Sequence, residues 1–360
     1  MNFKIFDTFD NNVVLQEQWN NIYNEGNYTS FSSYDWSHNW WLNIGKPKLF
    51  VILYYKQNIQ ESVALFPFMI DSKGVLRFIA DNHCDYCEFI TSPNVELDLS
   101  SLSKITFGLI NNEPSISSME LNNLVISNPF IGHLYNQGGF RQFTHVSNAS
   151  SSIVINKNTS LFSCFEGKRK KLRSELKRVY KKHTGASSKI YTHKDAFPKD
   201  VIHDLFNDMV ARGERNASYL NKEFLATIEK LYDKNHLIIH ELRIEDNPIS
   251  LNFCMKSKNH YVLWLDLYKD VQYINIASYL KFMEYINKNE NFSSFKIDFG
   301  RGLYNYKIKN FKPDIIPQLT YFYSKTSKKF FFYLTSFYLK HAVKEFYKKH
   351  SSLINKLLRR

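Results

Sequence analysis

Three apolar runs rich in β-branched and aromatic residues follow one another between residues 236 and 268: HLIIHELRI (236–244), PISLNFCM (248–255) and HYVLWLDLY (260–268). Glu245-Asp246-Asn247, which joins the first two, is a tight-turn composition, so the runs predict neighbouring antiparallel strands. A helix over 276–288, the strand SFKIDF (294–299), a short helix at 303–309 and the strand QLTYFYS (318–324) follow. The resulting order is β-β-β-α-β-α-β. Before it come a basic helix, GKRKKLRSELKRVYKK (167–182), with a narrow stripe of Leu172, Leu176 and Val179, and a strand at 188–193. Helices at 200–213 and 221–233 follow, the second capped by Asn221.

The first half is also mixed. Val14, Leu15, Trp19, Ile22 and Tyr23, then Trp36, Trp40, Trp41 and Ile44, recur at helical spacing. KLFVILYY (48–55), ESVALFPFMI (61–70) and GVLRFIA (74–80) predict a strand meander. From about 112 to 160 Asn, Ser, Pro and Gly dominate between short apolar runs, which places the join between the lobes near the end of this stretch. A chain of 360 residues exceeds one ordinary core. The expected organisation is therefore α+β, with lobes at 1–155 and 156–326 and a helical tail at 327–360. In the tail Leu339, Val343, Phe346, His350, Leu353 and Leu357 are spaced alternately four and three, with Lys340, Lys344, Lys348, Lys349 and Lys356 largely on other faces. Such a helix can lie on an anionic membrane surface or pack across the lobes with its lysines solvated.

The net charge of +13 favours anionic partners: phosphates, anionic lipid or nucleic acid. Four cysteines are too few for a disulfide scaffold, and the opening MNFKIFDTFDNN lacks the layout of a signal peptide. No window reaches the ~18 apolar residues of a membrane span, so a cytoplasmic protein, at most peripheral at the inner face of the membrane, is expected. Cys84 and Cys87 form a C-x-x-C without a second ligand pair at finger-like spacing, and buried thiols with no metal are expected. No G-x-S-x-G elbow, Walker loop or H-E-x-x-H helix is present, which argues against the matching hydrolases, NTPases and zinc proteases. The basic helix at 167–182 reads as a solvated face or a phosphate-ligand rim rather than a DNA-binding element.

The densest chemistry lies in Phe295-Lys296-Ile297-Asp298-Phe299-Gly300-Arg301-Gly302-Leu303-Tyr304-Asn305-Tyr306-Lys307. A strand delivers Asp298 to its C-terminal end, Gly300 and Gly302 allow a close turn, and a helix starts facing the same cleft. Asp298 can equally cap that helix. Acyl transfer needs a group to hold the developing oxyanion, a base for the nucleophile and an acid for the leaving group. Asp266, near the end of the third strand, offers a base, Tyr304 or Tyr306 an acid, and Arg301 and Lys307 an anion site, unless one of them pairs with Asp298.

These segments resemble the CelD/BcsL family of acetyltransferases, a branch of the GNAT superfamily also related to FemAB peptidyltransferases. Trp19 through Pro67 resembles the family's opening, Leu76-Arg77-Phe78 with Asp85-Tyr86 its Leu-Arg-Phe…Asp-Tyr segment, and 167–182 its basic helix. Ile297-Asp298-Phe299-Gly300-Arg301-Gly302 with Tyr306-Lys307 is similar to its closing signature. The resemblance implies two tandem GNAT-like lobes and transfer of an acetyl or other acyl group from acyl-CoA to an amine or hydroxyl of a sugar or cell-envelope polysaccharide precursor. It implies catalytic roles for Asp298, Lys307, Tyr306 and Asp266, donor binding by Arg301, Gly300, Gly302, Asn275 and Ser278, and acceptor contacts from Asp85 and Tyr86. The family's Ser-Pro-Gly, which in GNAT proteins cradles the pyrophosphate of coenzyme A, is replaced here by Asn275-Ile276-Ala277-Ser278. FemAB-like transfer from aminoacyl-tRNA is the alternative enzyme reading, and a catalytically silent scaffold in polysaccharide biosynthesis a third.

Overall fold

The apolar runs of both halves become strands of one mixed sheet in a computed structural model, which describes residues 1–126, 128–156, 162 and 170–357, the side chains of 305 and 344–357 excepted. In chain order the first half contributes β1 (Asn2–Phe6), α1 (Val13–Glu25), α2 (Tyr34–Asn43), β2 (Lys48–Tyr55), β3 (Ser62–Ile70), β4 (Val75–Phe78) and β5 (Ile90–Thr91). It continues with α3 (Leu99–Asn112), β6 (Ser118–Val125), α4 (Phe130–Tyr135) and β7 (Gln142–Asn156). The second half contributes α5 (Lys170–Lys182), β8 (Ser187–Tyr191), α6 (Lys199–Ala211), α7 (Lys222–Asp233), β9 (Leu237–Ile244), β10 (Asn247–Ser257) and β11 (His260–Tyr268). It ends with α8 (Ile274–Asn289), β12 (Ser294–Arg301), α9 (Asn305–Phe311), β13 (Asp314–Ser324) and α10 (Ser327–Leu357). Residues 167–169 of the basic helix and Cys164 lie outside the described residues, as do the side chains of the tail beyond Val343.

The strand order is β1-β2-β3-β4-β6-β13-β7-β12-β11-β10-β9-β8, with β5 beside β3. β9, β10 and β11 are antiparallel neighbours, as their spacing predicts. Parallel pairing occurs between β4 and β6 and between β11 and β12. The stretch from 112 to 156 is not a bare connection: it forms β6, α4 and the 15-residue β7. Ser and Asn are poor strand formers, yet Ala149, Ser150, Ser151 and Ser152 are buried where β7 pairs with β12 on one side and β13 on the other. Partners on both edges outweigh intrinsic preference. β13, from the end of the chain, inserts between β6 and β7, so the first-half sheet is completed by the second half.

Alternation along β9–β11 buries two faces. Ile239, Leu251, Phe253, Val262 and Leu265 join a core that includes α6, α7 and the first-half helices, whereas Ile238, Leu242, Cys254, Tyr261 and Leu263 pack beneath α5 and α8. Trp264 locks the halves together: its indole N–H donates to the His83 carbonyl at 3.0 Å and its ring meets Trp36 edge-on at 5.5 Å. The first turns of α10 pack on the sheet, with Tyr333 stacked on Phe322 and Phe337 against Phe143 and His145. No described helix is long and apolar enough to cross a membrane.

Candidate active site

β11 and β12 keep register only at His260–Lys296, Tyr261–Ile297 and Val262–Asp298, although both strands continue. On its other edge β12 slips against β7 between Asp298 and Arg301. Gly300 sits at this slip with φ +68°, a conformation that costs an L-residue about 1–2 kcal/mol. A Cβ there would also lie 2.4 Å from Asp85 Oδ2, so glycine is what lets the Asp85 carboxylate reach the strand. Gly300→Ala is accordingly expected to lower stability by about 2 kcal/mol or more, read as a fall in the urea midpoint, and to displace Asp85.

The parted strand ends open a cavity of about 360 Å³. Asp85, Asp266, Arg301, Tyr304, Tyr306 and Lys307 all line it, so half of the residues singled out from sequence converge here from three segments. Lys307 is delivered by α9, whose Phe311 packs on Phe299 with ring centres 4.8 Å apart. The ammonium is buried, donates to the Phe299 carbonyl, and lies 5.1 Å from the Tyr304 ring centre. Burial pushes its pKa below the ordinary lysine value despite the nearby carboxylates of Asp266, Asp85 and Asp298.

Asp85 faces Lys307 from the first lobe. Its Oδ2 accepts the Arg301 backbone N–H at 3.1 Å, and Arg301 Nε lies 3.7 Å from Oδ1. Burial raises the carboxyl to about 6, against the pull of Arg301 and Lys307. Asp266 is also held above the ordinary carboxylate range by burial, but both its oxygens are engaged: Asn252 donates to one at 2.8 Å and the Tyr279 hydroxyl to the other. Tyr279 in turn lies 3.3 Å from the Tyr306 hydroxyl, whose pKa burial raises well above that of a free phenol.

Asp298 does not reach the cavity. It is 1% exposed, and its carboxylate accepts the Tyr86 hydroxyl at 2.5 Å and the Gly300 N–H at 2.9 Å, with His260 Nε2 at 3.3 Å. Burial pushes its pKa up, but His260 and Tyr86 outweigh that and hold it below the usual carboxylate range. Asp298 and Tyr86 thus form a joint beneath the turn that carries Gly300, and Gly302, with φ +99°, completes that turn beside Tyr304.

The residues expected to bind the donor are not brought together. Ser278 is fully buried behind Asp266, where it donates to Asn252 and lies 3.3 Å from His240 Nδ1. Asn275 lines a separate cavity of about 280 Å³ at the start of α8, which Tyr306 also borders. Ala277 is buried against the core. Where a glycine turn would cradle a pyrophosphate, Tyr273 occupies the left-handed region at φ 64°. Arg178 and Lys182 of α5 stand over its ring at 5.4 and 5.9 Å. No glycine lies between Lys269 and Ser278, so this turn lacks the closest backbone approach that a glycine would allow a pyrophosphate.

Sequence reasoning missed Arg215 and Tyr219, which also line the main cavity. Arg215 stacks on Tyr219 at 5.0 Å, and its Nε is shielded from solvent with no hydrogen-bond partner among the described residues. The signal was the charged turn Arg212-Gly213-Glu214-Arg215 directly after an amphipathic helix. Cys84 and Cys87 are buried thiols with sulfurs 3.3 Å apart, and no metal-binding cluster of three side chains occurs among the described residues.

The mixed sheet, with one parallel pair in each half at β4–β6 and β11–β12, has the outline expected of two tandem GNAT-like lobes. Solved structures share this fold. FemX matches with a TM-score of 0.60 at 10% identity over 90% of this chain and 97% of its own. L-PGS from Bacillus licheniformis matches at 0.58 and 11% identity over 90% and 95%. A conserved protein of unknown function from Bacteroides thetaiotaomicron matches at 0.54 and 10% identity over 90% and 100%. At such identities the likeness is one of fold. No family model matches the chain, and no curated protein does, so the CelD/BcsL likeness rests on the quoted motifs alone.

Proposed function

We propose that this chain is an acyltransferase that moves an acyl group from an activated ester onto an amine or hydroxyl held between the lobes. The observation that supports this most is the meeting of Asp85, Arg301, Tyr306 and Lys307 around one cavity at the parted ends of β11 and β12. As the acceptor attacks the donor carbonyl, its N–H or O–H proton passes to Asp85, whose raised pKa suits a base near neutral pH. The oxyanion forming on that carbonyl is met by the Lys307 ammonium. The bond from the carbonyl carbon to the carrier then breaks, and the carrier atom takes a proton from the Tyr306 hydroxyl. Asp266 orients Tyr279 and through it Tyr306, while Asp298 positions Tyr86 and the Gly300 turn. The CelD/BcsL resemblance suggests a sugar or cell-envelope polysaccharide precursor as acceptor.

Acyl-CoA and aminoacyl-tRNA are the two donors the resemblance allows, and the turn before α8 favours the second. It lacks a glycine cradle, and α5 sets exposed Arg178 and Lys182 over Tyr273 at this turn, a basic surface that suits a phosphate backbone. A weakly acidic phenol at Tyr306 also suits an alkoxide leaving group better than a thiolate, which needs little help from an acid since thiols ionise near ~8.5. Equilibrium binding of bulk tRNA and calorimetry with coenzyme A decide between them. Expected are tRNA binding that weakens steeply with salt and with Arg178→Ala/Lys182→Ala, and no heat from coenzyme A. Tight coenzyme A binding without tRNA binding returns the acetyltransferase reading, and binding of neither removes both.

A further inference from the structure

α10 leaves the body of the protein after about three turns. Phe330 is 5% exposed and Tyr333 and Phe337 pack on the sheet, but every residue from Tyr338 to Val343 is exposed. Away from the packed side, Phe331, Phe332, Leu339 and Val343 are 58%, 76%, 64% and 60% exposed, and Tyr338, 59% exposed with its ring 6.2 Å from Phe143, stands at the edge. At 100° per residue these five positions, with Thr335 and Ala342 between them, form one face spanning about two fifths of the helix circumference. Lys328 stands at the N-terminal end of this face, where its long stem can lie along an apolar surface with the charge in water, and Lys340 is exposed on the flank between this face and the packed side. Phe140, 72% exposed, stands beside the start of α10, where Arg141 donates to the Lys325 carbonyl.

We propose that this face of α10 docks the protein on the surface of an anionic lipid bilayer, with the aromatic and aliphatic side chains in the headgroup–acyl boundary. Charge identifies the occupant. Residues 327–360 carry nine Lys and Arg against the single acid Glu345, an excess of eight positive charges. A second copy of the chain placed face to face would bring two such excesses together, whereas anionic headgroups compensate them. An apolar face rich in aromatics with a cationic border is the composition of helices that lie in the interface plane. This docking is independent of the transfer reading, since none of its residues lines the candidate site.

The test is co-sedimentation of the full chain with vesicles of phosphatidylcholine alone and of phosphatidylcholine with phosphatidylglycerol, at low and high salt. Binding to the phosphatidylglycerol vesicles that falls with salt is expected. Phe331→Ser/Phe332→Ser should lower the partition coefficient roughly tenfold or more. Lys328→Glu and Lys340→Glu should each lower it about fivefold or more. The four side chains are exposed, so unchanged melting is expected and confirms that the variants are folded. Equal binding to both vesicle types, no binding, or partition untouched by these variants overturns the proposal. So does a dimer in sedimentation velocity that the Phe331→Ser/Phe332→Ser change converts to monomer, because a second copy then covers the face.

Discussion

Lys307→Met is expected to reduce acyl transfer by about two to three orders of magnitude, the usual effect of removing a group that meets the developing oxyanion. Methionine keeps most of the side-chain volume in a buried position, so packing against Tyr304 and Tyr306 survives while the charge is lost. The fold should tolerate the change. Burial already disfavours the ammonium, as its lowered pKa records, so losing it removes a desolvation cost along with an attraction. A second readout does not depend on turnover: Lys307 holds the Asp85 carboxyl down, so Asp85 should titrate at higher pH in the variant, visible by carbon-detected NMR. Single-turnover transfer from charged tRNA gives the rate. Turnover within tenfold of the parent, with an unmoved Asp85 titration, would place the cation away from the reacting carbonyl.

Asp85→Asn should separate activity from stability in opposite directions. Without a carboxylate to take the acceptor's proton, transfer is expected to fall about 10²- to 10⁴-fold. Stability should rise at neutral pH. In the unfolded chain Asp85 titrates near 3.8, and in the folded protein near 6, because burial disfavours its charge. Between those values the folded form keeps a proton that the unfolded form has lost. Stability therefore falls as pH rises through this window, and the cost, of the order of 3 kcal/mol at most, is fully present above about pH 6. Asparagine escapes it while still accepting the Arg301 N–H. Thermal melts of parent and variant should accordingly diverge above pH 6, with the variant higher, and converge toward pH 4. In the parent, transfer should rise with pH through about 6 as Asp85 loses its proton. A variant that melts lower at every pH makes Asp85 a structural partner of Arg301 instead.

Local pattern made β2, β3 and β9–β11 legible, because each is an apolar run long enough to fill a buried strand and is bounded by turn residues. The same holds for the turn from Gly300 to Lys307. Its two glycines at positive φ, the strand before it and the short helix after it are consecutive in the chain, so their chemistry is set by neighbours in sequence. β6 and β7 gave no such signal. Their Asn and Ser residues become strand only because β13 arrives from the far end of the chain to pair with both, and no window of sequence contains that partner.

The site divides in the same way. The amino-acid sequence by itself determined which side chains can act as acid, base and cation near residues 298–307, and that the chain's charge favours anionic partners. It also determined which segments are strand and which are helix wherever a hydrophobic period is present. Tertiary structure alone decided that Asp298 is a buried joint rather than a cavity residue, that Ser278 faces the core, and that Asp85, some 220 residues upstream of Lys307, stands opposite it. The reason is that exposure and pKa depend on which lobe covers a side chain. That covering comes from contacts between residues distant in sequence, here the closure of the two halves around Trp264 and the insertion of β13 into the sheet begun by the first half.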